Sequence, residues 1–252
     1  MILPEYGGVT RENTFGRNVY EGYQRGCGIM IGDLHDEIAT EPDFDEAFRL
    51  AQGRTVVWRP RLMNLYLIIR FFLPRLESGN IVEFGSFRGG SAFFMAKLAQ
   101  KYLAGSQVYA FDTFEGLPPT GEIDGHNESD FSGTSFEEVS RSKELAGLDN
   151  LQLIRGRFED TAEQVLAAAG KVSLAHIDCD IYAAALYCFG AVKDHMVKGG
   201  YIVFDDATEP SCIGATQAVE EIIATHDLRS EQISPHFVFR WPPLEDGPPQ
   251  EI

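Results

Sequence analysis

The chain has 252 residues, 44% of them hydrophobic and 23% charged, with 38 acidic against 21 basic side chains and a formal net charge of −17. That length suits one large α/β domain with an added cap, and that charge repels a nucleic-acid backbone, which excludes nucleic acid as a partner. No uninterrupted apolar stretch approaches the roughly 20 residues that span a bilayer, so no membrane partner is expected. The start, MILPEYGGVTRENTFG, lacks the basic and then apolar order of a secretory leader, and a cytoplasmic location is the expectation. Cys27, Cys179, Cys188 and Cys212 form no CxxC pair and read as buried, reduced thiols.

Residues 1–42 show no sustained period and read as an irregular arm whose aromatics, Phe15, Tyr20 and Tyr23, pack on a substrate or a second subunit. Asp43 to Ala51 reads as a short helix. The basic run Arg54 to Arg61, RTVVWRPR, either meets one phosphate or is a helix entrance with solvated arginines. Pro60 to Leu76 follows as an amphipathic helix with Leu62, Leu65, Tyr66, Ile69 and Leu73 on one face. From there strands and helices alternate: strand Ile81 to Gly85, helix Gly90 to Tyr102, and strand Gln107 to Phe111 ending in Asp112. The acidic, turn-rich segment LPPTGEIDGHNESDFSG reads as a loop over the sheet edge. Helix Phe136 to Leu145, strand Leu151 to Arg155, helix Thr161 to Ala169, strand Val172 to Ile177, helix Ala183 to Met196, strand Tyr201 to Phe204 and helix Gly214 to His226 continue the pattern. Glu231 to Ser234 and Phe237 to Trp241 read as a C-terminal hairpin, and the tail GPPQEI as loose. Strands alternating with helices of this length require parallel pairing and right-handed crossovers, which makes the fold class a doubly wound, mostly parallel α/β sheet. The expected division is an N-terminal arm and cap over 1–58 and one globular unit over 59–252.

In such a sheet, ligands bind outside the carboxyl ends of the strands. The stretch IVEFGSFRGGS, Ile81 to Ser91, reads as strand, tight turn and helix, but the middle glycine of a dinucleotide fingerprint would fall on Phe87. A nucleoside ligand without a pyrophosphate fits better. Asp112 can take both hydroxyls of its ribose, and an acidic pocket favours a sulfonium, so S-adenosylmethionine is the leading ligand. Asp178 and Asp180 in AHIDCDIY, and Asp205 and Asp206 in GGYIVFDDA, end neighbouring apolar runs. Carboxylates brought that close raise one another's pKa unless a positive group lies between them. An all-oxygen set suits a hard cation such as Mg²⁺; the competing role for Asp180 is a helix N-cap.

The segments VEFGSFRGGS, YAFDTFEGLP, RGRFEDT, HIDCDIYAA and GGYIVFDDA, in this order, resemble the macrocin O-methyltransferase family of S-adenosylmethionine- and Mg²⁺-dependent sugar methyltransferases of antibiotic biosynthesis. The resemblance runs from about Arg61 to His226. It implies a Rossmann-like class I methyltransferase sheet with a C-terminal antiparallel hairpin and an N-terminal helical or irregular cap. Carried over residue by residue, it implies that Glu83, Gly85, Ser86 and Ser91 line the methionine side of the donor and that Asp112 binds its ribose. Thr113 and Phe114 would border the same pocket, and Arg157 and Phe158 would edge the adenine. Asp178, Asp205 and Asp206 match the metal-holding positions, and Asp178 also touches the donor and is the expected general base. The implied acceptor is a deoxysugar hydroxyl, on a nucleotide diphosphate sugar or a glycosylated natural product, and the implied assembly is a homo-oligomer. The competing readings are methylation of a catechol or other phenol, and a non-catalytic nucleoside-binding module. His176 reads as a structural imidazole inside a strand, and His35 and His126 as loop residues with no assigned role. Tyr182 reads either as an acceptor contact or as a packed aromatic.

Overall fold

The computed structural model describes residue 29, residues 32–226, residue 228 and residues 230–242. Phe15, Tyr20, Tyr23 and Cys27 of the expected arm lie outside the described residues, as does the tail. The apolar runs meet in one sheet made of β1 (Asn80–Phe84), β2 (Val108–Asp112), β3 (Leu151–Arg155), β4 (Val172–Ile177), β5 (Met196–Phe204) and β6 (Phe237–Trp241). Their spatial order is β3–β2–β1–β4–β5–β6. All neighbours pair in parallel except β6, which runs antiparallel to β5. The helices are α1 (Asp33–Ala39), α2 (Pro42–Ala51), α3 (Arg59–Leu67), α4 (Gly90–Tyr102), α5 (Phe136–Leu145), α6 (Phe158–Ala169), α7 (Tyr182–Val192) and α8 (Ile213–His226). None of the described helices is long and apolar enough to cross a membrane.

Because side chains alternate along a strand, each strand feeds two cores. Ile81, Leu174, Tyr201 and Val203 join one face with Phe44, Tyr66 and Phe94 from α2, α3 and α4. Val82, Phe84, Ala175, Ile177 and Phe204 join the other with Leu166, Phe189 and Val219 from α6, α7 and α8. This is the doubly wound arrangement expected from the sequence, and it places β1 and β4 at the point where the winding reverses.

Four local expectations change. The helix expected over Pro60 to Leu76 is α-helical only to Leu67, then widens to a π-turn over Ile68–Phe72 and tightens to a 3₁₀ turn over Leu73–Arg75. Pro74 has no N–H to give the preceding turn, so an α-helix cannot continue through it. Nor is that helix amphipathic: every residue from Arg61 to Leu67 is buried. Part of the stretch read as irregular forms α1. Strand β5 starts at Met196 rather than Tyr201, because the KGG interruption masks its first half; Gly199 passes through φ 69° and the β4 register shifts beside it. The first arm of the C-terminal hairpin reduces to a single bridge, Gln232 to Val238.

The turn after β1 tolerates little. Gly85 sits at φ 91°, and an added Cβ would lie 1.6 Å from the Asp178 carbonyl oxygen. Gly85→Ala is therefore expected to cost on the order of 3 kcal/mol or more in chemical denaturation, combining positive-φ strain with a backbone displacement. Gly105→Ala, at φ 84° with nothing within 4 Å of the added atom, isolates the strain and should cost only about 1 kcal/mol.

Candidate active site

The carboxyl ends of the central strands are level. Gly85 N–H donates to the Phe111 carbonyl at 2.9 Å, Asp178 N–H to that of Phe84 at 2.9 Å, and Asp205 N–H to that of Ile177 at 2.9 Å. Above them opens a cavity of about 400 Å³ whose wall includes Gly85, Asp112, Arg157, Asp178, Asp205 and Asp206. That volume falls in the range of small-molecule sites. Leu117, Pro118, Pro119, His126 and Phe131 of the loop read as crossing the sheet edge close one side.

Asp112 ends β2 with its carboxylate gripped by the loop backbone: the N–H of Phe87 donates to Oδ2 at 2.7 Å and that of Phe114 to Oδ1 at 2.6 Å. Burial, the largest effect, pushes its carboxyl above the ordinary carboxylate value against those two hydrogen bonds. The arrangement fixes an acceptor oxygen pair at the cavity wall, which is the chemistry a vicinal diol requires.

One oxygen from each of Asp178, Asp205 and Asp206 lies within 4.8 Å of the others. Burial and the neighbouring carboxylates push Asp178 and Asp206 well above the usual carboxylate range. Asp205 differs. Its Oδ2 accepts from Arg61 Nη1 at 2.5 Å, and its Oδ1 accepts from His236 Nε2 at 2.8 Å, with His176 Nε2 3.4 Å away. Although burial alone would raise it, these donors hold Asp205 below the usual range. His176 in turn donates from Nδ1 to Glu83 Oε1 at 3.0 Å. Burial is the largest effect on His176 and would lower its pKa, but Asp205 and Glu83 outweigh it and raise the imidazole to about 9. Burial lowers His236 to about 4; Asn64 donates to its Nδ1 at 3.1 Å, as suits a neutral ring. The donor set fits a hard divalent cation, since Asp178 and Asp206 carry raised pKa values with no cationic side chain bonded to them, and Asp205 keeps lone pairs beyond those its partners use.

Among the residues predicted from sequence, Gly85, Asp112, Thr113, Arg157, Phe158, Asp178, Asp205 and Asp206 line the cavity. Four others lie outside its lining. Glu83 is buried against His176; Ser86 and Ser91 are buried, the first with its Oγ unpartnered; and Phe114 turns into the core, edge-on to Phe136 at 5.4 Å. The arginine run does not gather into a phosphate site. Arg54 bonds Ser142 Oγ at 3.0 Å, Arg59 lies over Phe44 and Phe48, and Arg61 is buried in its ion pairs with Asp205 and Glu209. Asp180 is not the cap of α7: the Tyr182 N–H goes to Asp124 Oδ1 of the long loop at 2.8 Å. Tyr182 ties α7 to α8 through Glu221 at 2.7 Å. Asn64 and His236 were not legible as site residues, and Arg61 was legible only as a phosphate contact in the basic run, because their partners lie far away in sequence and no local motif marks them.

A protein-family model described as Macrocin-O-methyltransferase (TylF) matches residues 37–234. The chain belongs to this family. It is thus an S-adenosylmethionine-dependent O-methyltransferase. Relatives of this TylF-family enzyme include the 8-demethyl-8-(2,3-dimethoxy-alpha-L-rhamnosyl)-tetracenomycin-C 4'-O-methyltransferase of Streptomyces olivaceus, 27% identical over 64% of this chain and 65% of that one. The mycinamicin III 3''-O-methyltransferase of Micromonospora griseorubida is 26% identical over 87% of this chain and 89% of that one. Among solved structures, the O-methyltransferase NovP superposes with a TM-score of 0.64 at 21% identity, covering 90% of this chain and all of NovP.

The charged imidazole under the site of this TylF-family enzyme makes its stability pH-dependent. A histidine raised from about 6.5 in the unfolded chain to about 9 in the folded one contributes stability that is complete below about pH 6.5 and is lost as pH rises through about 9. The Tm of metal-free protein should fall across that window, and His176→Gln should flatten the fall. A wild-type Tm that stays level from pH 6.5 to 9 contradicts a charged His176.

Proposed function

We propose that this enzyme transfers the methyl group of S-adenosylmethionine to a hydroxyl of a deoxysugar on a glycosylated natural product, with a divalent cation held by Asp178, Asp205 and Asp206. The observation that carries the metal role is the convergence of those three carboxylates on the cavity floor. The Streptomyces olivaceus relative is named for O-methylation of a rhamnosyl-tetracenomycin, and the Micromonospora griseorubida relative for O-methylation of mycinamicin III. Two features favour a glycosylated scaffold over a nucleotide sugar. The arginines that might have met a diphosphate have internal partners, and the cavity lip carries Val56 and Trp58, 68% and 59% exposed, as an apolar shelf for a scaffold.

The roles of the chain's own residues follow from their placement. Asp112, fixed by two backbone donors, accepts from the ribose hydroxyls of the donor, while Thr113, Arg157 and Phe158 border the nucleoside end and Gly85 keeps the turn beneath it low. Arg61, His236 and His176 hold Asp205 ionised and oriented. Asp178, on the cavity wall beside Asp205 and Asp206, accepts the proton of the sugar hydroxyl. The loop over the sheet edge keeps water from the sulfonium. A hard cation held by the three carboxylates would supply Lewis acidity to the acceptor hydroxyl. Most of the acceleration then comes from alignment of oxygen, methyl carbon and sulfur, since the transfer consumes the charge of the sulfonium rather than creating a new one.

Transfer of a labelled methyl group to a panel of glycosylated natural products and nucleotide sugars tests the reading. Activity is expected on a glycosylated acceptor, and both EDTA and Asp206→Ala should lower kcat/KM by about 100-fold or more. Undiminished transfer under both conditions would refute the metal role, and transfer to nucleotide sugars alone would refute the choice of acceptor. Asp112→Ala should raise the KM for S-adenosylmethionine about 10- to 100-fold, the range of a lost charged hydrogen bond, with a smaller change in kcat.

A further inference from the structure

A second group of side chains meets on the same cavity wall, apart from the three carboxylates. His126 comes from the loop between β2 and α5, Asp180 from the turn after β4, and Cys212 from the residue before α8. Cys212 Sγ lies 3.5 Å from His126 Nε2 and 3.6 Å from Asp180 Oδ1, and His126 Nε2 lies 3.6 Å from Asp180 Oδ1. The three donor atoms form a nearly equilateral triangle. Tetrahedral zinc, with bonds of about 2.3 Å to sulfur, 2.0–2.1 Å to imidazole nitrogen and 2.0–2.2 Å to carboxylate oxygen, sets its ligand atoms roughly 3.3–3.6 Å apart. The triangle has those sides. Cys212 Sγ is within sulfur hydrogen-bond reach of both other groups, while Asp180 Oδ1 and His126 Nε2, 3.6 Å apart, are not hydrogen-bonded to one another directly.

The surroundings supply a second, independent observation. Asp130 Oδ2 lies 3.3 Å from His126 Nδ1 and also accepts from the Asn127 N–H at 2.9 Å. A carboxylate behind the far ring nitrogen is the support that metal-binding histidines receive, because it fixes the tautomer and turns Nε2 towards the ion. Asp180 holds a left-handed backbone at φ 63°, with its N–H tied to Asp206 Oδ2 at 2.8 Å. The donor set holds one sulfur, one nitrogen and one oxygen. Mg²⁺ and Ca²⁺ take oxygen, whereas zinc and its borderline neighbours accept this mixture.

We propose that His126, Asp180 and Cys212 form a binding site for Zn²⁺ or a similar borderline divalent cation, distinct from the oxygen-only site of Asp178, Asp205 and Asp206. On binding, the Cys212 sulfur bonds the ion and its proton passes to solvent. Because His126 belongs to the loop over the sheet edge while Asp180 and Cys212 belong to the frame, the bound ion clamps that loop across the cavity. The inference is independent of the identity of the acceptor.

The test uses the full chain, stripped of metal with a chelator and titrated with Co²⁺, whose bond to a thiolate gives a ligand-to-metal absorption band. The expected result is a band that saturates at one equivalent, is displaced by Zn²⁺, disappears in Cys212→Ser and survives in Asp206→Asn. His126→Ala, a change in a loop that leaves the core intact, should weaken Co²⁺ binding at least tenfold and so serves if Cys212→Ser fails to fold. Zn²⁺ should also slow proteolytic cleavage within residues 117–133 of the wild type. Absence of the band in the wild type, or a band that persists in Cys212→Ser or unchanged in His126→Ala, overturns the site. Loss of the band in Asp206→Asn overturns its separateness from the carboxylate set.

Discussion

Asp205 is the position on which the site depends. A carboxylate with almost no solvent access is costly unless donors surround it, and this one is met by Arg61, His236 and His176 from three separate parts of the chain. Each donor is held in turn. Arg61 also bonds Glu209 and the Pro235 carbonyl, His236 takes the Asn64 amide, and His176 bonds Glu83. Helix α3, the sheet centre and the segment before β6 are thereby joined under the cavity floor. The burial of Arg61 and Asn64 in this network explains why α3 turns no face to solvent from Arg61 to Leu67 despite its polar residues.

The same network divides three neighbouring carboxylates into two kinds. Asp205 is compensated by the protein itself and stays ionised, while burial first and the surrounding carboxylates second drive the pKa values of Asp178 and Asp206 up. A floor of this kind attracts positive charge. A sulfonium and a divalent cation are both positive, so one electrostatic arrangement serves both ligands of the proposed reaction. The overall charge of −17 is consistent with an active site that collects cations and with acceptors that are not polyanions.

The loop over the sheet edge is held more firmly than its composition of glycine, proline and acidic residues suggests. Asp124 takes the first N–H of α7, and a Cβ on Gly125 would lie 2.2 Å from the Ser211 carbonyl oxygen, so the loop backbone rests directly on the segment before α8. Leu117 and Asp130 bond backbone to backbone across the loop at 2.9 Å. A structured cover rather than an open tether is what a reaction that must exclude water from a methyl donor requires.

By itself the sequence determined the element order, the doubly wound sheet and the strand ends at Asp112, Asp178, Asp205 and Asp206, because hydrophobic periodicity and strand-end chemistry are local properties. The family followed from five short motifs in register, which are local as well. Only the tertiary structure decided that Arg61 serves Asp205 rather than a phosphate, that Asp124 rather than Asp180 meets the start of α7, and that Glu83 and Phe114 face the interior. It also brought His126, Asp180 and Cys212 together. These outcomes depend on which distant groups meet after folding: a buried charge takes whichever partner the packing delivers, and nothing in its immediate neighbours in sequence names that partner.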